Sequence, residues 1–483
     1  MSSFGSSLNI GTSAIHAAQR GLDVTGQNIS NAATPGYTRQ RVDLESIGGP
    51  GVPAFWSRYD GVGEGVKITG VTRMNDEFLE ARARNSNAAL GDLQEQAKTM
   101  AAIERAVGEP SDTGLQKKLA TFWNSWATAG NSPTVANQAP RAAALENGVN
   151  AAAQLNLMGS SLATQYADTV SELQANVTDI NKMAEDVAKL NVAIRNNNIA
   201  KVPSNELLDQ RDVLVAKISQ LTGATVRPAQ MDQDAPFNSQ AVDVMIGDKM
   251  LVNGTQAAAL MVNDPNDGTY PEDGSDPGEI TVEWDPSVGP DGYSGDAGLA
   301  SGRVSGQLKN LNETIPNYMR QFDNIAKTLA DTVNDQQASG FTVEGDGGQD
   351  LFIANGGGTI TARNIRMDPA AKANDLAINS TATTMDGLNA QAMARHISDK
   401  GGADATYNAM VVQLGVQTQS VNRNVDVQQN VVNKAEDARD NVAGVSLNEE
   451  MTNLIKFQHS FSAAAKFIGV IDQTLDTLIN MTR

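Results

Sequence analysis

Both ends of the chain carry an apolar repeat of seven residues. Leu8, Ile15, Leu22 and Ile29 stand seven apart, with Phe4, Gly11, Ala18 and Thr25 on the neighbouring seam. At the other end Leu447, Leu454, Phe461, Ile468 and Leu475 repeat at the same interval, beside Phe457, Ala464, Ile471 and Leu478. A seven-residue period keeps one narrow stripe facing a partner helix, which is the pattern of coiled-coil-like packing. Such stripes are marginal for an isolated helix. Between Met1 and Thr38 the formally charged side chains are Arg20 and Asp23 alone. A helix so poor in charge is suited to being covered on more than one side, which favours packing among copies over simple pairing of the two ends.

The first repeat stops at Asn31-Ala32-Ala33-Thr34-Pro35-Gly36-Tyr37-Thr38-Arg39, where Pro35-Gly36 signals a turn. Alternation over Tyr37–Leu44 and again over Gly61–Val71 predicts a small hairpin region, placing a β-hairpin and linker at 33–74. Gly61, Gly63 and Gly65 have the wrong spacing for a dinucleotide fingerprint. From about residue 75 the pattern is helical for some 145 residues. One helix within it opens near Pro140 and carries Tyr166, Leu173, Ile180, Val187 and Ile194 at strict sevens. Gly223 is placed to end the last helix of that run. Short apolar strands follow, then a helix over about 304–337, a mixed segment and a helix over about 404–439. The expected fold is therefore mainly α with β insertions, its domains discontinuous and nested. Residues 1–32 and 446–483 form a terminal helical assembly domain. Residues 75–223, 301–340 and 400–445 form a long helical bundle. A β-rich insertion at 224–300 and a small mixed insertion at 341–399 lie outermost.

The 483 residues include 36 Lys+Arg against 56 Asp+Glu, a net charge of −20. Nucleic acid and anionic membrane surfaces are excluded as partners on that ground. No run of residues is apolar enough to span a bilayer, and the first ten lack the features of a secretory signal peptide. Cysteine is absent, which excludes disulfides, Cys-ligated metals and thiol nucleophiles. His16 and His459 fall within the terminal repeats, where packing roles are expected, and His396 stands apart. Residues 264–296 hold ten acidic groups and no Lys or Arg, and read as a solvated, mobile surface loop. Asp264-Pro265-Asn266-Asp267-Gly268 lacks the ligands of a calcium loop at its fifth and twelfth positions. Trp123 and Trp126, at helical spacing, are read as core rather than as a sugar platform. No metal, cofactor or catalytic motif emerges.

The stretch Asn31–Arg39, with Asn31, Thr34, Pro35, Gly36, Tyr37 and Arg39 as its marked positions, resembles the signature of bacterial flagellar axial proteins. Ser446–Ile455, with Phe457, Gln458, Phe461 and Ala463–Lys466, is similar to the C-terminal signature of the same group. Asn205-Glu206-Leu207-Leu208-Asp209-Gln210-Arg211-Asp212 resembles the flagellar hook-associated protein 1 family, the hook–filament junction protein. The resemblance implies an extracellular structural protein, not an enzyme, exported unfolded through the flagellar type III apparatus without a cleaved signal. It implies as partners further copies of the chain, the hook protein on one side, a second junction protein or flagellin on the other, and an export chaperone at the C-terminal region. Assembly would run along Leu8, Ile15, Leu22, Ile29, Leu447, Leu454, Phe457, Phe461, Ile468, Ile471, Leu475 and Leu478. Acidic substitution of Leu454 with Ile468 is expected to abolish incorporation, and the first and last 35–40 residues are expected to be disordered in the free chain. Rival readings are a rod or hook axial protein, a wall hydrolase travelling with the flagellum, and a secreted adhesin using the acidic insertion.

Overall fold

The computed structural model describes residues 2–48, 63–131, 133–229, 240–289 and 293–481, with side chains from residue 7 onward at the N-terminus. Phe4's side chain, Gly61 and Val62, all used in the sequence reading, lie outside what is described. The chain opens with helix α1 (Ser2–Asn31) and closes with α10 (Leu447–Met481). These two pack against each other along their length. Gly11 lies against Ile468, Gly21 against Phe457 and Asn28 against Glu450, so the helices run antiparallel and both chain ends share one tip. The expected disorder of these ends is thus not how the chain is built. Each helix covers part of the other's stripe.

After α1, strands β1 (Gln40–Ile47) and β2 (Gly65–Arg73) form an antiparallel hairpin, paired from Gln40 with Arg73 to Ile47 with Gly65 and irregular at Asp43/Leu44. The bundle follows: α2 (Glu77–Val107), α3 (Leu115–Gly130), α4 (Ala139–Ile199) and α5 (Asn205–Thr222). Asp76 caps α2 by accepting from the Phe78 and Leu79 amides at 2.9 and 3.2 Å. Gly108 and Gly223 close α2 and α5. At 61 residues α4 is unbroken and about 92 Å long. Its buried face includes Tyr166, Leu173, Ile180, Val187 and Ile194, the residues spaced at seven. Trp123 and Trp126 are buried core residues.

Strands β3 (Thr225–Pro228), β4 (Val242–Ile246), β5 (Lys249–Asn253) and β6 (Gln256–Ala257) make a four-stranded antiparallel sheet in sequential order. Strands β7 (Leu260–Asn263) and β8 (Thr281–Trp284) pair beside it. The acidic stretch that the sequence presents as a loose loop is anchored instead. Tyr270, Ile280, Val282 and Trp284 are buried, and Glu272 and Asp276 pair with Arg363 and Arg320.

The helix expected over 304–337 is three pieces: α6 (Arg303–Lys309), one π turn at Asn310–Thr314, and α7 (Ile315–Ala338). Pro316 supplies the reason. It has no amide to donate and its ring would press on the carbonyl four residues back, so the preceding turn widens. Strands β9 (Phe352–Ala354) and β10 (Ile365–Met367), then α8 (Leu388–Arg395), lead to α9 (Ala403–Ala443), which runs into α10 through Gly444–Ser446.

The β segments are pinned to the helices by asparagines that imitate backbone. Asn181 of α4 donates to the Leu260 carbonyl and accepts from its amide, both at 2.8 Å. Asn312 does the same for Ile280, at 2.8 and 2.9 Å. Fully buried Asn191 donates to the carbonyls of Val242 (2.9 Å) and Gly254 (2.6 Å). Asn334 of α7 holds Leu351 and Phe352, and Asn156 of α4 holds Ala362 and Ile365. Asn191→Ala leaves two buried carbonyls unpaired and is expected to cost about 2–3 kcal/mol in urea denaturation. An equivalent change at the exposed Asn422 should stay within about 0.5 kcal/mol.

Candidate assembly site and its polar clasp

The terminal unit consists of α1, α10 and the β1–β2 hairpin. Small residues make the contact between the helices. A Cβ on Gly11 would stand 2.6 Å from Ile468 Cγ1, and one on Gly21 would stand 2.5 Å from the Phe457 ring. These glycines let the apolar side chains of α10 rest directly on the backbone of α1. Beside them Ala17, Ala18, Val24 and Thr25 are buried on α1, and Ala464 and Ile471 on α10. Between the helices and the hairpin runs a groove of about 620 Å³, lined by residues including Ala14, Ala18, Val42 and Phe457.

The seam residues divide between two surfaces. On α1 the covered seam is Gly11, Ala18 and Thr25, whereas Ile15, Leu22 and Ile29 are half-buried and Leu8 is 43% exposed. On α10, Ile471 is buried, and Phe457, Phe461, Ile468, Leu454 and Leu475 are half-buried. Leu447 and Leu478 are exposed. Ile468 faces Gly11, so an acid placed there would disrupt the pairing inside one molecule. The outward apolar residues of α10 were missed by the seven-residue reading: Met451, Ile455 and Val470, the last 60% exposed. His16 and His459 are exposed, not packed as expected. Long helices with narrow stripes leave most positions outside, and neither ring lies on an inward turn.

Below the seam the three stretches singled out in sequence converge. Asn28 is 1% exposed and is the hub. Its Oδ1 accepts from the Tyr37 hydroxyl (2.8 Å) and the Gln40 amide (3.0 Å). Its Nδ2 donates to the Gln40 carbonyl (2.9 Å) and to Glu450 Oε2 (3.1 Å). Glu450, equally buried, takes Arg39 Nε at 2.8 Å, and Arg39 Nη1 reaches Glu449 at 2.6 Å. The backbone of Arg39 bridges Ala443 and Met74, each at 2.8 Å. Thus the end of α1, the start of α10 and the hairpin are tied at one point.

The second half of the clasp fixes that point to the bundle through α5. Asn205 Nδ2 donates to Gln40 Oε1 and to the Val71 carbonyl, both at 3.1 Å. Arg73 lies 2.8 Å from Asp209 and 2.7 Å from Asp212, and it also donates to Thr38 Oγ1 at 3.1 Å. The Thr38 amide donates to Asp209 (3.3 Å), and Gln27 donates to Glu206 (3.2 Å). Asn31 holds the turn, its carbonyl accepting from the Thr34 amide at 2.9 Å. Exposed Pro35 leads into Gly36, which has φ +78° and rests on Val213 of α5.

Burial, with Asp209, Glu206 and Glu450 nearby, pushes the Tyr37 hydroxyl up to about 12, so it donates at every physiological pH. Burial also raises the Asp209 carboxyl, opposed by Arg73 and the Thr38 bonds. A carboxyl raised in the folded state binds protons more readily there than when unfolded. Its favourable contribution is complete below the unfolded pKa and is lost as pH rises through the folded value. Relative to the parent, Asp209→Asn should therefore gain stability as pH rises from about 4 to 7, measured by urea denaturation across that range.

Sequence reading found the marked residues Asn31, Thr34, Pro35, Gly36, Tyr37 and Arg39 but missed Asn28, Gln40 and Arg73. The signal available was an asparagine inside an apolar repeat, one position before Ile29, and a glutamate, Glu450, inside the facing one. Among the described residues there is no cluster of three acidic or histidine side chains able to hold a metal. No helix among them is long and apolar enough to cross a membrane.

Three family models match the chain. The flagellar hook-associated protein FlgK helical domain matches residues 100–352, the flagella basal body rod protein matches 8–38, and the C-terminal region of the flagellar basal body rod FlgEFG proteins matches 438–481. Flagellar hook-associated protein 1 of Bacillus subtilis is 28% identical, covering 97% of this chain and 96% of its own. That of Escherichia coli is 24% identical, covering 98% and 99%. The solved flagellar hook junction protein FlgK from Burkholderia pseudomallei superposes with a TM-score of 0.62 at 16% identity, over 76% of this chain and all of the other, and shares the fold. The rod-type models cover only the two ends, while the model matching the interior spans more than half the molecule: the chain belongs to the flagellar hook-associated protein FlgK family.

Proposed function

We propose that the chain is a structural adaptor of the bacterial flagellum, sited between hook and filament, which assembles by packing its terminal helices against those of further copies. The observation that carries this reading is the division of the seams. Each terminal helix spends one apolar face on its partner and leaves a second partly open, α1 along exposed Leu8 and half-buried Ile15, Leu22 and Ile29, α10 along exposed Met451, Ile455 and Val470. An outward apolar face, on α1 in a helix with only Arg20 and Asp23 charged, marks an interaction surface. Residues 1–32 with 446–483 then act as the assembly domain and 33–74 as its linker. The bundle comprises 75–223, 301–340 and 400–445, and the insertions 224–300 and 341–399 lie at the periphery. The protein acts outside the cell, after export in an unfolded state. A chaperone covers the outer flank of α10 until docking, with hook protein on one side and a second junction protein or flagellin on the other. No step of this role requires catalysis.

The double substitution Leu8→Asp with Val470→Asp tests it, because both side chains are exposed, Leu8 at 43% and Val470 at 60%. The variant should keep the circular dichroism and melting profile of the parent, yet fall at least about tenfold in incorporation into flagella, the loss of one apolar contact being worth about 1.4 kcal/mol per decade. Incorporation at the parental level would contradict the reading.

A further inference from the structure

Among the described residues, a face of α4 and a face of α9 have no partner, and both lack charge in a chain whose net charge is −20. On α4, residues 147–167 contain no ionisable acid or base other than Tyr166, which is buried, and their outer face exposes Val149, Ala153, Leu157, Ser160 and Thr164. Leu157 is 63% exposed. On α9, residues 405–422 are likewise uncharged, and Val412, Val416 and Gln419 share an exposed face, Val416 at 62%. At 3.6 residues per turn each set falls on one stripe, roughly 24 Å of helix from Val149 to Thr164 on α4 and roughly 12 Å from Val412 to Gln419 on α9.

The stripes are placed to face away from one another. Both α4 and α9 pack on α2 and α7 and make no substantial contact with each other, so they hold diagonal corners of the bundle. They also sit at similar height. Tyr318 of α7 donates to Gln417 of α9 at 2.7 Å. Five residues on, Asp323 of α7 accepts from the Ala362 amide, whose carbonyl takes Asn156 of α4 at 2.8 Å. Five residues of helix are about 8 Å.

We propose that these faces are the two halves of one side-to-side contact between copies, α9 of one molecule lying on α4 of the next. This rests on the reading that the chain assembles through its ends. Copies carrying so much negative charge repel one another over most of their surface, and charge-free faces are where close approach costs least. Because the two faces differ and lie on opposite corners at one level, the contact is head-to-tail and repeats around a ring or helical array, not as a closed pair. A seam of this length is too small to hold two free molecules together. It forms where the terminal helices have already gathered the copies.

The absence of cysteine allows a clean test. Val416→Cys and Leu157→Cys are made singly and together in the full chain, each checked for parental melting and for incorporation into isolated flagella, and then oxidised. The double variant should give a ladder of cross-linked species. A mixture of the two single variants should give dimers, and either single variant alone should give none. Dimers from one single variant, or no cross-link in flagella that have incorporated the double variant, would overturn the proposal while leaving terminal assembly intact. Failure of the unsubstituted chain to incorporate would instead refute the reading on which it rests.

Discussion

Asn28→Ala is expected to release the terminal unit from the bundle without unfolding the bundle. Asn28 makes four hydrogen bonds at a site that water does not reach. Removing its amide leaves the Gln40 backbone and one oxygen of buried Glu450 without partners, a local cost of about 3–5 kcal/mol. Glu450 keeps Arg39, so the carboxylate is not stranded as a lone charge. The loss should therefore appear as faster proteolysis within residues 31–48 and faster amide exchange in α1, while α4 exchanges as in the parent. Asn28→Asp is a sharper form of the same experiment. It retains the acceptor for Tyr37 and Gln40 but sets a second carboxylate against Glu450, and should be no better than alanine at neutral pH. Equal protection of α1 in parent and both variants would show that the clasp does not hold the unit.

Gly36→Val should be nearly as severe, for a different reason. The backbone there has φ +78°, a region that β-branched residues rarely enter. The new Cβ would also stand 2.1 Å from Val213 Cγ2 on α5. Backbone strain and overpacking together are expected to cost about 3–5 kcal/mol, read as a lowered denaturation midpoint of the hairpin and terminal unit. Adding Val213→Ala relieves the collision but not the dihedral, so the double variant should recover part of the loss and not all of it. Full recovery would mean that the turn tolerates a side chain and that the clash was the entire effect.

The long-range design was readable from sequence where periodicity carries information. Tyr166, Leu173, Ile180, Val187 and Ile194 mark the buried face of α4 because a helix of that length must keep one stripe inward. Both terminal helices are likewise present, but their sevens did not say which seam meets which partner. Gly11, Ala18 and Thr25 take the inner face because small side chains allow Ile468 and Phe457 to approach, while the larger Leu8 is exposed and Leu22 only half-buried. Size at the contact decides this, and a seven-residue count is blind to it. The polar contacts were harder still. Asn28, Arg73 and Glu450 are separated by up to 422 positions along the chain and meet only once the fold exists. Asn181, Asn191 and Asn312 look like ordinary helical polar residues until the strands they hold are in place. The reading of one helix over 304–337 did not weigh Pro316, and its outcome, a π turn that lets Asn312 hold Ile280, depends on the neighbouring strand. The acidic stretch after Asp264 read as loose because charge was counted there, and buried Tyr270, which anchors it, was not weighed.

Hydrogen exchange compared between the isolated chain and assembled flagella tests the central claim most directly. Few residues of α1 and α10 are buried in the single molecule, while α4 buries a full stripe. Amides of residues 8–29 and 451–475 should therefore exchange much faster than those of α4 in the isolated chain, by about two decades or more, and should approach α4 once assembled. Equal protection of the terminal helices and α4 in the isolated chain, with no change on assembly, would contradict the account.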